Sequence, residues 1–395
     1  MGGAERLLQA VSERLVARGH HVTVLTFNCA SMRDFSSPRG AGLPAVETLN
    51  GVRVLRVQPM QGRVNRALHW WIRQRGGWRT TSLALGGGDL WPLMLPSGIG
   101  TVVPLSRLRA DVVTSVNWHF GAAYWTCLPR ALRRAPRVAI PIFHIEREWA
   151  QRAIYSRMLG RCDAGIVCTT AERDFLEVRG AQHVTIAGCG VEPARYERRD
   201  GSRIRAAYAI GSGPVVGFVG RQDTLKGVPT LIDAMQAVWE RFPDAVLLLA
   251  GQSAHRDDTV AARLESLHPD RRRQVKLIDD FTDTDGPSIM DACDLLALPS
   301  VEESFGLVMI EAWMCGKPVI GADIASTRCI IDDGEDGLLV APFDAADLAQ
   351  KILELLSDAT KRAAFGTRGR AKVLERYTWE IVTDRWEATF RHVIR

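Results

Sequence analysis

Lysine is nearly absent from this 395-residue sequence. Its first occurrence is Lys226, and all 27 basic residues up to Asp200 are arginine. Such usage follows nucleotide composition as readily as recognition, so it carries no argument alone, but it makes the few lysines conspicuous. No run of about 18 apolar residues occurs, so no membrane-spanning helix is expected. The opening residues, MGGAERLLQA, lack the basic-then-apolar order of a secretory signal. The eight cysteines are scattered, with no C-x-x-C pair and no metal-ligand spacing. Free, mostly buried thiols in a reducing cytoplasm are the simpler expectation. Solenoid-period repeats and low-complexity tracts are missing too. The expectation is therefore a globular, cytoplasmic protein, with no metal-binding spacing among its cysteines.

The charge is unevenly spread. Up to Asp200 the 27 basic residues meet 15 acidic ones, a balance of +12; the remainder has 23 and 30, a balance of −7, within a net charge of +5. A basic half attracts phosphates, anionic lipid or nucleic acid, and is equally the surface of an ordinary solvated domain. The length exceeds one ordinary core and points to two domains. Short apolar strands at His21–Leu25, Val52–Val57, Val112–Ser115, Val138–Ile142, Gly165–Cys168 and His183–Ile186 alternate with amphipathic helices, the first at Ala4–Arg18. A polar patch, Glu192–Ser202, reads as a linker. The rhythm restarts with strands at Val215–Val219, Ala245–Ala250, Val275–Ile278, Leu295–Leu298, Val319–Ile320 and Leu338–Val340. Helices are expected at Pro229–Arg241, Glu311–Met314 and Ala346–Leu356. This is the pattern of doubly wound parallel sheets.

The stretch Pro299–Gly321, PSVEESFGLVMIEAWMCGKPVIG, is the most informative in the chain. Glu303 and Glu311 stand eight positions apart around the small turn Ser304-Phe305-Gly306, followed by an apolar helical run and then a strand. A helix start offers unpaired N–H groups and a partial positive charge, a seat for phosphate. Two acids beside such a seat suit a ligand with phosphate at one end and hydroxyls at the other, such as a nucleotide sugar. A second cluster, Gly217–Gly227, runs from a strand ending at Gly220 into Arg221 and, five positions on, Lys226. An arginine fork and a lysine on one loop can neutralise a diphosphate without a metal. The alternative is a charged surface loop. Against it stands the retention of an ammonium here in a chain that nearly always chooses arginine.

With these pieces the sequence resembles the retaining glycosyltransferases of family four. Gly2-Gly3-Ala4-Glu5, Arg18–Val24, Ala171–Leu176, Gly190–Tyr196, Arg221 with Lys226, the E-x7-E pair and Asp333–Val340 match the family pattern along almost the whole chain. The resemblance implies an α/β GT-B fold, two Rossmann-like doubly wound domains facing a central cleft. Residues 1–195 would form an acceptor-side domain with its first strand apparently missing, since the chain begins in what looks like the first strand-to-helix loop. Residues 196–378 would bind the donor, and 379–395 would cross back to the first domain.

The site roles follow from the same resemblance. Glu303, Lys226, Arg221 and His144 would be catalytic, with Glu303 and His144 on the donor sugar and the two cations on the diphosphate. Glu311 would hold the ribose, with Ser304, Phe305, Gly306, Leu307, Val308 and Gly220 completing the donor site. Gly2, Gly3 and His119 would face the acceptor. The donor would be a nucleotide-diphosphate sugar, with no further cofactor and no metal; the short Asp283-Thr284-Asp285 reads as a solvated loop. One departure is the run Ala322–Arg328, where the family often has a glycine-rich turn and a glutamate.

The segment Gln61–Arg79 mixes five arginines with Trp70, Trp71 and Trp78. It reads equally as a packed helix with solvated arginines or as an acceptor-side surface touching anionic lipid at the inner face of the membrane. No nucleic-acid module accompanies it. The acceptor remains open: lipid-linked, glycan or secondary metabolite. Two other functions fit the fold, a sugar-nucleotide epimerase and a catalytically silent scaffold.

Overall fold

The computed structural model describes residues 2–29, 41–57, 109–116, 135–142, 144–145, 150, 153–251, 257–279 and 281–395. His119 and the segment Gln61–Arg79 lie outside these residues. The chain divides into two compact units, 1–187 with 382–395, and 188–381.

In the first unit, helix α1 (Gly3–Ala17) precedes strands β1 (Thr23–Phe27), β2 (Val46–Leu49), β3 (Val52–Val57), β4 (Val113–Val116) and β5 (Arg137–Ile140). Helix α2 (Ala153–Leu159), β6 (Ala164–Val167), helix α3 (Thr170–Glu177) and β7 (Val184–Ile186) follow. The described strands form one sheet of order β1-β3-β2 and another of order β4-β5-β6-β7. The second sheet is parallel throughout. Leu7, Val11 and Leu15 recur at helical spacing and are the buried stripe of α1. Two hydrogen bonds start α3: the Thr169 hydroxyl accepts from the Glu172 N–H, and the Glu172 carboxylate reaches back to accept from the Cys168 N–H. Strand β2 escapes the sequence reading. Asn50 and Gly51, both at positive φ, turn it back antiparallel onto β3.

The second unit starts with helix α4 (Gly201–Ala207) and continues through β8 (Val215–Val219), α5 (Val228–Arg241), β9 (Val246–Ala250), α6 (Asp258–Ser266), α7 (Pro269–Arg273) and β10 (Val275–Ile278). Then come α8 (Gly286–Ala292), β11 (Leu295–Leu298), α9 (Leu307–Met314), β12 (Val319–Ala322), β13 (Gly337–Val340), α10 (Ala345–Ser357) and α11 (Ala359–Arg376). The sheet order is β10-β9-β8-β11-β12-β13, and every pairing is parallel. Its central strands are apolar on both faces and fully buried, as helices on both sides of a parallel sheet require. From β8 the chain winds outward through β9 to β10, then returns to place β11 on the other side of β8. The winding therefore reverses between β8 and β11, the switch point where open α/β sheets bind ligands beyond their carboxyl ends.

The patch Glu192–Ser202 is more than a linker. It contains a 3-10 turn that buries Tyr196, and Asp200 caps α4. Gly201 donates its N–H to Asp291 at 2.9 Å, and a Cβ there would lie 2.6 Å from the Ala292 nitrogen.

The last helix, α12 (Trp379–Ile394), starts in the second unit, while its residues from Val382 onward belong to the first. In the first unit Val382 and Trp386 are buried, and Arg385 donates to the Ala187 carbonyl at 3.0 Å. Glu387 accepts from Arg18 at 2.8 Å and pairs with His20 at 3.0 Å. These contacts, His20 first and Arg18 next, hold the Glu387 carboxyl below its usual range despite partial burial.

Candidate functional site

Two loops leave the switch point of the second unit. The first follows β8. Gly220, at φ 153°, turns the chain beyond the sheet edge, and Arg221 follows with its side chain largely exposed, 3.1 Å from Asp223. Lys226 sits at the end of the same loop, immediately before Gly227. That glycine is at φ 74°, and a Cβ on it would fall 2.1 Å from the Pro299 carbonyl oxygen, so the two loops close on each other only with glycine there.

The second loop follows β11 and carries Glu303. Lys226 Nζ donates to Glu303 Oε1 at 2.6 Å and to the Glu302 carbonyl at 3.0 Å. Both side chains are mostly buried, at 15% and 12% exposure, so each charge is compensated chiefly by the other. The structure thus brings together two side chains that the sequence analysis gives to different parts of the donor. Phe305 is buried edge-on against Tyr377, with ring centroids 5.4 Å apart, and anchors this loop. Gly306 then caps α9 at φ 83°.

Helix α9 is apolar nearly all round. Met309, Ile310, Ala312, Trp313 and Met314 are buried, leaving Leu307, Val308 and Glu311 on the less buried side. Those three positions are a helical i, i+1, i+4 set, so Glu311 shares a face with the first turn. This helix begins earlier than the expected Glu311–Met314, because Leu307 to Ile310 are already helical.

Beyond β12, the loop that departs from the family pattern is closed by its own side chains. Arg328 donates Nε and Nη2 to the two carboxylate oxygens of Asp323, and Ile324 donates to the Thr327 hydroxyl at 3.2 Å. Hydrogen bonding to Arg328 outweighs burial and holds the Asp323 carboxyl below its ordinary range. Asp285 of the D-x-D segment accepts from the Thr282 hydroxyl at 2.6 Å and from Arg203 at 2.7 Å, and stands before α8.

In the first unit, Gly2 caps α1 and accepts from the Arg6 N–H at 3.1 Å, and Gly3 is its first residue. His144 follows the end of β5 and is half-buried. Asp223, Glu302 and Tyr377 are site neighbours that the sequence reading missed. Asp223 was legible as a carboxylate between two cations. The Glu302 carbonyl and the distant Tyr377 had no sequence signal.

Comparison with known proteins identifies the family and the fold. The profile described as Glycosyltransferase Family 4 matches residues 1–195, and the one described as Glycosyl transferases group 1 matches residues 201–372. A D-inositol 3-phosphate glycosyltransferase of Corynebacterium urealyticum is 30% identical over 318 residues, 73% of this chain and 74% of that protein. A phosphatidyl-myo-inositol mannosyltransferase of Mycobacterium leprae is 32% identical over 174 residues, 44% of this chain and 45% of that protein. Among solved structures, sucrose-phosphate synthase from Thermosynechococcus elongatus superposes with a TM-score of 0.74 at 23% identity, over 99% of this chain and 93% of that one. Anabaena HepE in complex with UDP and glucose gives 0.71 at 20% identity, over 99% and 96%. The chain belongs to the family 4, group 1 glycosyltransferases, with the GT-B fold of two Rossmann-like units.

Proposed function

We propose that this glycosyltransferase is a retaining, metal-independent enzyme that moves a sugar from a nucleoside-diphosphate sugar to a phosphorylated polyol of the inositol phosphate type. The Lys226–Glu303 pair at the switch point is the observation that carries the donor half. An ammonium at the carboxyl end of the sheet, beside a helix start and the Arg221 fork, is suited to a diphosphate. The UDP in the HepE complex supports a uridine nucleotide as the first donor to try. The acceptor class rests on the names of the two relatives, which share the inositol phosphate unit.

In this reading the diphosphate is the leaving group. As the glycosidic bond breaks, negative charge grows on the β-phosphate, and Lys226, Arg221 and the N–H groups of Phe305 to Val308 meet it with charge and dipoles already in place. Lys226 turns from Glu303 towards the phosphate, and the released Glu303 carboxylate accepts hydroxyls of the sugar. Glu311 accepts from the ribose hydroxyls. His144 serves the sugar, and Gly2 and Gly3 give the acceptor close backbone approach. The acceptor hydroxyl attacks from the face the diphosphate leaves and passes its proton to the departing β-phosphate oxygen, which retains the anomeric configuration without a covalent enzyme intermediate.

The test is incubation of the protein with UDP- and GDP-sugars, with and without inositol phosphate and without added metal. Products are separated by mass and the new anomeric bond is read by NMR. An isomerised donor formed without acceptor would identify an epimerase instead. No turnover of any donor would favour a silent scaffold.

A further inference from the structure

Four residues separate the two cations of the loop after β8, and three of them tie it down. Gln222 is buried and donates Nε2 to the carbonyls of Leu249 at 3.4 Å and Gly251 at 3.3 Å, at the end of β9. Asp223 accepts the Lys226 N–H at 2.9 Å. Thr224 donates its backbone N–H to Asp257 at 2.9 Å, and its hydroxyl reaches both oxygens of the same carboxylate at 3.0 and 3.1 Å.

Asp257 stands just before α6, and its two oxygens do different work. Oδ1 accepts from the N–H groups of Thr259 at 3.0 Å and Val260 at 3.2 Å, capping the helix. Oδ2 accepts the Thr224 N–H. Burial opposes the charge, but the hydrogen bonds from Thr224, Val260 and Thr259 outweigh it and hold this carboxyl below its usual range.

We propose that Asp257 is a positioning residue for sugar transfer: it fixes Thr224, and through that loop the stations of Arg221 and Lys226, without touching the donor. The inference rests on the transferase reading above. Both cations ride on this one loop, and the bonds from Gln222 to the end of β9 and from Thr224 to Asp257 anchor it to neighbouring elements. Misplacing such groups by about 1 Å costs about a hundredfold in rate. A carboxylate suits the task because it accepts from several donors and donates to none.

Replacement by asparagine separates the two duties. Asn caps a helix about as well as Asp, so Oδ1 keeps α6 in place. The amide nitrogen that replaces Oδ2 then faces the Thr224 N–H, donor against donor. D257N is therefore expected to lower turnover at saturating donor by roughly tenfold to a hundredfold. The Kd for UDP by calorimetry should stay within about threefold, and the melting temperature should change little. T224V should also lose turnover, and T224S, which keeps both bonds, should restore it. The double variant D257N/T224V should be no worse than D257N, because the two residues act as one unit.

Wild-type turnover in D257N, additive losses in the double variant, or a T224S as slow as T224V would each overturn the proposal. An active wild-type enzyme with a fully active D257N overturns this inference alone. A wild-type protein inactive with every donor overturns the transferase reading, and the inference with it.

Discussion

Lys226 and Glu303 are 77 residues apart in the sequence, yet Nζ and Oε1 lie 2.6 Å apart where the β8 and β11 loops meet. A pair this enclosed is poorly solvated, so removing one partner strands the other charge. A ligand that brings its own anion and its own hydroxyls can replace both halves of the pair at once, which fits the donor proposed above.

Exchange of these partners sets the first expectation. K226M and E303Q should each lower transfer by roughly a hundredfold to a thousandfold, the range seen when a group that stabilises transition-state charge is lost. Each should also destabilise the ligand-free protein by about 1–3 kcal/mol, and the double variant should recover part of that loss. Urea unfolding and product assay on the same preparations check both. Additive stability losses would contradict the pairing.

Gly227 offers a steric test. Its φ of 74° and the Pro299 carbonyl 2.1 Å from any added Cβ leave no room for a side chain. G227A should destabilise the protein by about 1–3 kcal/mol and displace Lys226 from the β11 loop. Thermal melting by circular dichroism reads the first effect, and turnover at saturating donor reads the second. A G227A that melts with wild type would refute the close approach.

A different buried pair supports the α9–α11 side of the sheet. Lys372 Nζ meets Asp332 at 2.7 Å, pairs with the buried Asp336, donates to the Ile330 carbonyl at 2.9 Å and lies over the Trp313 ring. K372M leaves the Asp336 carboxylate without its cation and should cost about 3–5 kcal/mol, with K372M/D336N much less damaging. Denaturant midpoints at constant slope check this.

Acid should act partly through Asp285. Hydrogen bonds from the Thr282 hydroxyl, then Arg203 and the Thr282 N–H, lower its pKa from 3.8 to about 2. A depressed folded-state value means the stabilisation is present above the unfolded value and is lost as the pH falls from 3.8 towards about 2. The side chain is 28% exposed, so solvent screening keeps the effect to about 1 kcal/mol or less. Stability against pH should be flatter in D285N across that interval, and identical curves would refute the assignment.

Much of the second unit was readable because parallel buried strands are short apolar blocks. Val215–Val219, Val275–Ile278 and Leu295–Leu298 begin and end where the residues alone place them. Glu303, Glu311, Arg221 and Lys226 were legible for a similar reason, being charges set in otherwise apolar or glycine-rich runs. Strand β2 was hidden: Val46–Leu49 is half polar and exposed, and only its Asn50-Gly51 turn betrays it. Helix α11 was hidden too, since its internal glycines lower helix propensity. The structure uses both for contact: a Cβ on Gly366 would meet the Gly316 carbonyl at 1.9 Å, and one on Gly369 would meet the Trp313 ring at 2.1 Å. Tertiary packing decides that helix, and packing between distant segments leaves no local pattern. The Lys226–Glu303 contact was invisible on the same ground.

The first unit draws its residues from both ends of the chain, 1–187 and 382–395, and the buried Val382 and Trp386 come from the distal part. A head piece ending at Ala187 would therefore be cut through its own core. Anyone exchanging the first unit between relatives by grafting would have to transplant head and tail as one matched set, and a graft of the head alone should be recovered as aggregate.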